Sequence, residues 1–142
     1  MSLNILIVDD SAVMRALIRK TIGLCGLPLG EVHQAANGLD GIRVIEQHRI
    51  DLVLVDINMP VMSGMEMVEL LRSKPETKNL PVLVVSTDGS ESRVEMILSQ
   101  GAGFVHKPFT PEILRDKILQ TTGATHAKSV EASTLSGDGP DF

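Results

Sequence analysis

Five short apolar runs, each cut off by an ionic or turn-forming residue, alternate up to Thr122 with segments whose apolar positions recur at helical spacing. The runs are Asn4 to Val8, which stops at Asp9-Asp10; a weaker one from Val32 to Ala35, followed by Asn37-Gly38; and Leu52 to Val55, which ends on Asp56. Val82 to Val85 follows Pro81 and ends on Ser86-Thr87-Asp88-Gly89, and Phe104-Val105 is cut by His106-Lys107-Pro108. A continuous apolar run, in place of strict alternation, is the pattern of a strand buried on both faces, as in a parallel sheet.

Between these strands, Val13, Met14, Leu17, Ile18, Ile22 and Cys25 predict a first helix, capped by Ser11 and closed by Gly26 and Pro28. Leu39, Ile42, Val44, Ile45 and His48 predict a second, whose start Gly38 and Gly41 obscure. Met65, Val68, Leu70 and Leu71 predict a third, ended by Lys74-Pro75. Val94, Ile97 and Leu98 predict a fourth, capped by Ser90 or Ser92 and stopped at Gly101. Thr110-Pro111-Glu112 starts a fifth, with Ile113, Leu114, Ile118 and Leu119 on one face.

Strand and helix alternate five times, which predicts an α/β fold: a (βα)5 doubly wound parallel sheet with right-handed crossovers. Residues 1–122 read as one folded domain. After Thr122 the periodicity disappears into Gly, Ala, Ser and Thr, so 123–142 read as a flexible tail or a linker cut from a longer protein.

Composition narrows the function classes. A chain of 142 residues with 43% hydrophobic and 22% charged residues is expected to bury ~70% of its unfolded surface without a metal or a disulfide. The net charge of −5 argues against general binding to nucleic acid or to an anionic membrane. No apolar run approaches the ~20 residues of a membrane span, and no signal-peptide pattern opens the chain, so membrane insertion is not expected and the cytoplasm is. Cys25 reads as a buried small hydrophobe. His33, His48, His106 and His126 lack metal-ligand spacing, so no zinc or iron site is expected. Neither G-x-G-x-x-G nor G-x-x-x-x-G-K-[ST] follows any strand, which removes the usual dinucleotide and nucleoside-triphosphate cradles.

The chemistry sits at the strand ends. Taken alone, Asp56 reads equally as a turn former and as a ligand. If the first, third, fourth and fifth strands lie side by side, Asp9, Asp10, Asp56, Ser86 and Lys107 share one edge. Carboxylates this close raise one another's pKa unless a cation intervenes, and an all-oxygen set suits Mg²⁺, with Mn²⁺ as an alternative. The backbone carbonyl of Asn58 is placed to add a further oxygen. Lys107 and Ser86 would orient a phosphoryl group arriving on the central carboxylate; alone, Lys107 reads equally as an ion-pair partner of Asp56.

These residues, with Met14 and Arg15, Pro60 and Gly64, and Pro108 and Phe109, resemble a CheY-like response-regulator receiver domain from about residue 4 to 121. The resemblance implies the flavodoxin-like strand order 2-1-3-4-5. It implies phosphorylation of Asp56 by a histidine kinase, with Asp10 as direct Mg²⁺ ligand and Asp9 acting mainly through metal-bound water. Lys107 would contact the phosphoryl oxygens across a cis bond to Pro108. Ser86 would move toward the phosphoryl group, and Phe104 would be the aromatic switch. The face made by the fourth helix, fifth strand and fifth helix would then bind a protein partner, in chemotaxis or motility, with the chain a monomer or a transient dimer. Such a chain assists its own phosphorylation and dephosphorylation and is not otherwise an enzyme.

Two departures from the family pattern matter, the first for the rate of phosphorylation or hydrolysis and the second for a switch left to packing alone. Thr87 stands where receivers usually carry Ala or Gly, and Phe104 lacks a tyrosine hydroxyl. The alternatives are a receiver truncated before its output domain and a phosphohydrolase of the haloacid dehalogenase type. The latter needs a general acid two residues after the nucleophile, where this chain has Asn58. His106 reads as an exposed bystander and Met59, Met62, Met65 and Met67 as core and loop filling. Glu66, Glu69 and Arg72 read as a solvated face. Arg15 and Arg19 read equally as a kinase-docking pair and as a solvated flank.

Overall fold

The apolar runs are uninterrupted because both faces of the sheet are covered. In the computed structural model, which describes residues 2–57, 59 and 61–123, the chain forms β1 (Leu3–Val8), α1 (Ala12–Gly23), β2 (Leu29–Ala35), α2 (Gly38–Gln47) and β3 (Leu52–Asp56). It continues as α3 (Gly64–Arg72), β4 (Val82–Ser86), α4 (Glu91–Ser99), β5 (Gly103–His106) and α5 (Pro111–Thr122). Every strand pairing is parallel and the order is β2-β1-β3-β4-β5, a flavodoxin-like sheet. Asn58, Pro60, His126 and the segment 124–142 lie outside the described residues.

Successive strand residues point to opposite faces. Ile5, Ile7, Leu52, Leu54, Leu83 and Val85 therefore pack to one side, against Ile18 and Ile22 of α1 and Leu114 and Ile118 of α5. Leu6, Val8, Val53, Val55, Val82 and Val84 pack to the other, against Ile42, Met65, Met67, Val68, Leu71 and Ile97 of α2, α3 and α4.

The departures from expectation have local causes. β2 begins at Leu29 and not at Val32, because an edge strand paired only with β1 tolerates Gly30, Glu31 and Gln34 and so carries little apolar signal. Asn37-Gly38 is a helix start: the Asn37 side chain accepts from the Asp40 N–H at 2.8 Å. α1 stops at Gly23, before Gly26 and Pro28. Its buried stripe is also narrower than its periodicity suggests, since Val13 is 81% and Leu17 is 53% exposed. Leu98 and Ile113 are likewise exposed, for the same reason: a helix lying on a sheet covers only the positions directly above it. Cys25 is buried as expected, its Sγ 3.3 Å from the carbonyl oxygens of Thr21 and Pro111.

Arg72 overturns its reading as part of a solvated face. Its Nε donates to the Gln100 carbonyl at 2.8 Å, one terminal nitrogen donates to the Leu80 carbonyl at 2.8 Å, and the other donates to the Gly101 carbonyl at 3.2 Å. The cation thus ties the end of α3 to the carboxyl end of α4 and to the approach to β4, where the helix dipole favours positive charge. Burial lowers its pKa. Arg72→Met is expected to cost about 2 kcal/mol in urea unfolding, since charged hydrogen bonds contribute most of that each and only part is recovered from water. Arg72→Lys should not rescue it, because an ammonium cannot reproduce the planar fork; full rescue by Lys would refute this role.

Candidate functional site

β1 and β3 are neighbours, yet the chain between them runs out to β2 and back, so the sheet order reverses at this pair. The carboxyl ends of the strands flank a crevice at such a reversal. Asp9 and Asp10 follow β1 directly and Asp56 is the last residue of β3; one carboxylate oxygen from each lies within 4.8 Å of the others. Asp9 is only 2% exposed. Its Oδ1 accepts from the Ser11 N–H at 2.8 Å, while its Oδ2 is buried with no hydrogen-bond partner among the described residues. Burial pushes the Asp9 carboxyl above its ordinary value; the Ser11 bond pulls it back, and the charges of Asp56 and Asp10 add to the rise against that of Lys107.

The Lys107 ammonium lies 3.7 Å from Asp56 Oδ1 and 3.9 Å from Asp9 Oδ2. Both separations exceed a hydrogen bond, so the lysine offsets charge without satisfying either oxygen. Its backbone N–H donates to the Ser86 carbonyl at 2.8 Å, one residue past the end of the β4–β5 ladder, and the Lys107–Pro108 peptide is cis. Ser86 is 1% exposed; its Oγ accepts from the Asp88 N–H at 3.0 Å, which leaves the hydroxyl hydrogen to donate elsewhere. Among the described residues, three carboxylates thus face one ammonium, and one buried oxygen has no donor. That donor set fits a hard divalent cation such as Mg²⁺.

The loop after β3 is held by Gly64. Its N–H donates to the Ile57 carbonyl at 3.0 Å, and a Cβ there would meet the Asp56 carbonyl oxygen and lie 2.8 Å from Ile57 Cα. Any larger residue would push the start of α3 away from Asp56.

The family model described as the response regulator receiver domain matches residues 5–119. The chain belongs to this family. Receiver domains are signalling switches of two-component systems and bind Mg²⁺ at an acidic pocket. Among relatives of this receiver, the chemotaxis protein CheY1 of Helicobacter pylori is 32% identical over 123 residues, covering 85% of this chain and 98% of its own length. A chemotaxis protein CheY homolog of Campylobacter jejuni is 30% identical over the same share of this chain and 93% of its own. The solved structure of chemotaxis protein CheY4 of Vibrio cholerae superposes with a TM-score of 0.75 at 32% identity, covering 85% of this chain and 99% of that one.

The remaining residues singled out in the sequence fall as follows in the receiver fold. Phe104 is half-buried on the α4 side of β5, opposite Val84, with its ring edge-on to His106 at 6.3 Å. His106 is exposed, as expected, with its ring beside Gly89, where a Cβ would come within 2.8 Å. Arg15, which spacing left undecided, donates to the Asp9 carbonyl at 2.6 Å and to Gln34 Oε1 at 3.1 Å, bracing the backbone of the acidic turn from α1. Only the contact with Asp9 reveals that role. Spacing in sequence hides one meeting of histidines. His33 and His48, 15 residues apart in sequence, come together with Glu31, because the chain leaves β2 and returns along α2.

Proposed function

We propose that this receiver is a phosphorylation switch in which Asp56 accepts a phosphoryl group from a histidine kinase. The observation that carries the reading is the Lys107 ammonium poised 3.7 Å from Asp56 beside two further carboxylates, one with an orphaned buried oxygen. An Asp56 carboxylate oxygen attacks the phosphorus; the new O–P bond forms as the P–N bond of phosphohistidine breaks, and its electron pair leaves on the imidazole. Lys107 balances charge on the phosphoryl oxygens, and the Ser86 hydroxyl donates to one of them. Asp9, Asp10, Asp56 and the Asn58 carbonyl would hold Mg²⁺, or Mn²⁺ in its place, which would supply the positive charge the cleft lacks.

The readout proposed is a shift of Ser86 toward the new charge and of Phe104 behind it, which remodels the α4–β5–α5 face for a protein target. The chemotaxis proteins among its relatives support motility as the pathway and the cytoplasm as its place. Acetyl phosphate with Mg²⁺ should add one phosphoryl group, mapped by peptide mass to the segment carrying Asp56. A label on another segment, or equal uptake in EDTA, would overturn the reading.

The exposed apolar face of α1 fits the docking of the phosphodonor. Leu17 borders an apolar cleft of about 310 Å³ that also involves Met14, Thr21, Thr87, Lys107 and Phe109. Leu17→Asp is expected to slow transfer from a kinase phosphohistidine domain about tenfold, as loss of one central apolar anchor does. Uptake from acetyl phosphate, which needs no docking, should stay unchanged; an equal loss with both donors would count against this surface.

A further inference from the structure

Glu31 and His33 are two residues apart on the edge strand β2, so their side chains share a face, and His48 is the C-cap that follows α2. His33 Nε2 lies 3.0 Å from Glu31 Oε1, and the His33 and His48 rings stand with centroids 4.3 Å apart. One donor atom from each of the three residues falls within 4.8 Å of the other two. His33 pairs in register with Leu6 on β1, two residues before the rung of Val8 with Ala35, so the trio is separate from the acidic crevice beyond Val8. A polar edge strand with one His–Glu hydrogen bond explains His33 and Glu31. It does not explain a second imidazole brought from another element to the same point.

We propose that Glu31, His33 and His48 form a second metal site, for a borderline transition-metal ion of the Zn²⁺ class. Tetrahedral zinc with bonds of 2.0–2.1 Å sets its donor atoms about 3.3 Å apart. The His33–Glu31 pair, at 3.0 Å, is already close to that separation, and His48, exposed at a helix end, has room to close the rest. Two imidazoles and one carboxylate leave a fourth position for water. The two sites sort by ligand hardness: nitrogen donors select zinc, nickel or copper, and the all-oxygen crevice selects magnesium. A bound ion would clamp the edge strand β2 to the far end of α2 and stabilise the fold by mass action without touching Asp56.

The test is a zinc titration of the full chain against a chromophoric chelator, in excess Mg²⁺ to fill the acidic crevice. One equivalent of zinc is expected. His48→Ala and, independently, Glu31→Gln should each weaken it at least about tenfold, the least that loss of a direct ligand produces. Asp10→Asn and His126→Ala should leave it in place. Cobalt in place of zinc should give the intense visible bands of a four-coordinate ion, lost in His48→Ala. Zinc displaced by Mg²⁺, lost with Asp10→Asn or His126→Ala, or held as tightly by His48→Ala would each overturn the site.

Discussion

Asp56→Asn is expected to take up no phosphoryl group from acetyl phosphate and Mg²⁺ under conditions that fully load the parent chain. The amide has the shape of the carboxylate but no nucleophilic oxygen of comparable strength, so the O–P bond does not form. The fold should survive, because Asp56 closes a strand whose preceding residues Leu52 to Val55 supply the burial. The variant should melt no lower than the parent, since removing the Asp56 charge relieves the repulsion that helps to raise the Asp9 carboxyl. Intact mass and a thermal scan on the same sample separate loss of chemistry from loss of fold. A label of parent size on the variant would move the phosphoacceptor elsewhere.

Which parts of this were legible in the sequence follows from the range of the interactions. A strand covered on both faces must be apolar at every position, so β1, β3 and β4 could be read from single runs. Their terminal Asp9, Asp56 and Ser86 therefore lay at one edge as soon as a parallel sheet was inferred. Edge strand β2 escaped in part because half-solvated backbone imposes no such constraint on Gly30 or Glu31. Helical spacing counted Val13 and Leu17 as core, because it reports that a face is apolar without reporting what covers it; here that surplus is the feature that suggests a docking surface. Arg15, Arg72 and the meeting of His33 with His48 were invisible for a different reason. Each depends on a contact between elements distant in sequence, and a charged or imidazole residue carries no mark of the backbone carbonyl or neighbour that it will meet.

Asp9→Asn is expected to raise stability while it disables the switch. The Asp9 carboxyl is pushed above its ordinary value of 3.8, chiefly by burial. The folded chain therefore binds this proton more readily than the unfolded chain does. Between 3.8 and the higher folded value, stability falls as pH rises, and above that window the full penalty remains. Above that window the parent carries an ionised carboxylate with one buried oxygen that has no hydrogen-bond partner among the described residues. Asparagine keeps the oxygen that accepts from Ser11, and it offers an N–H₂ donor toward the oxygens of Asp10 and Asp56. Without Mg²⁺, the variant should be more stable at pH 7 by about 1–2 kcal/mol, the scale of one unsatisfied buried polar group. Parent and variant should converge as pH falls toward 3.8, so their difference isolates Asp9 from the other carboxylates. Added Mg²⁺ should raise the parent's melting temperature much more than the variant's, and phosphoryl uptake by the variant should drop at least about 100-fold, as loss of a comparable electrostatic group does. A variant that melts below the parent at pH 7 without Mg²⁺ would show that Asp9 holds the fold together and is not strained for the sake of the cation it receives.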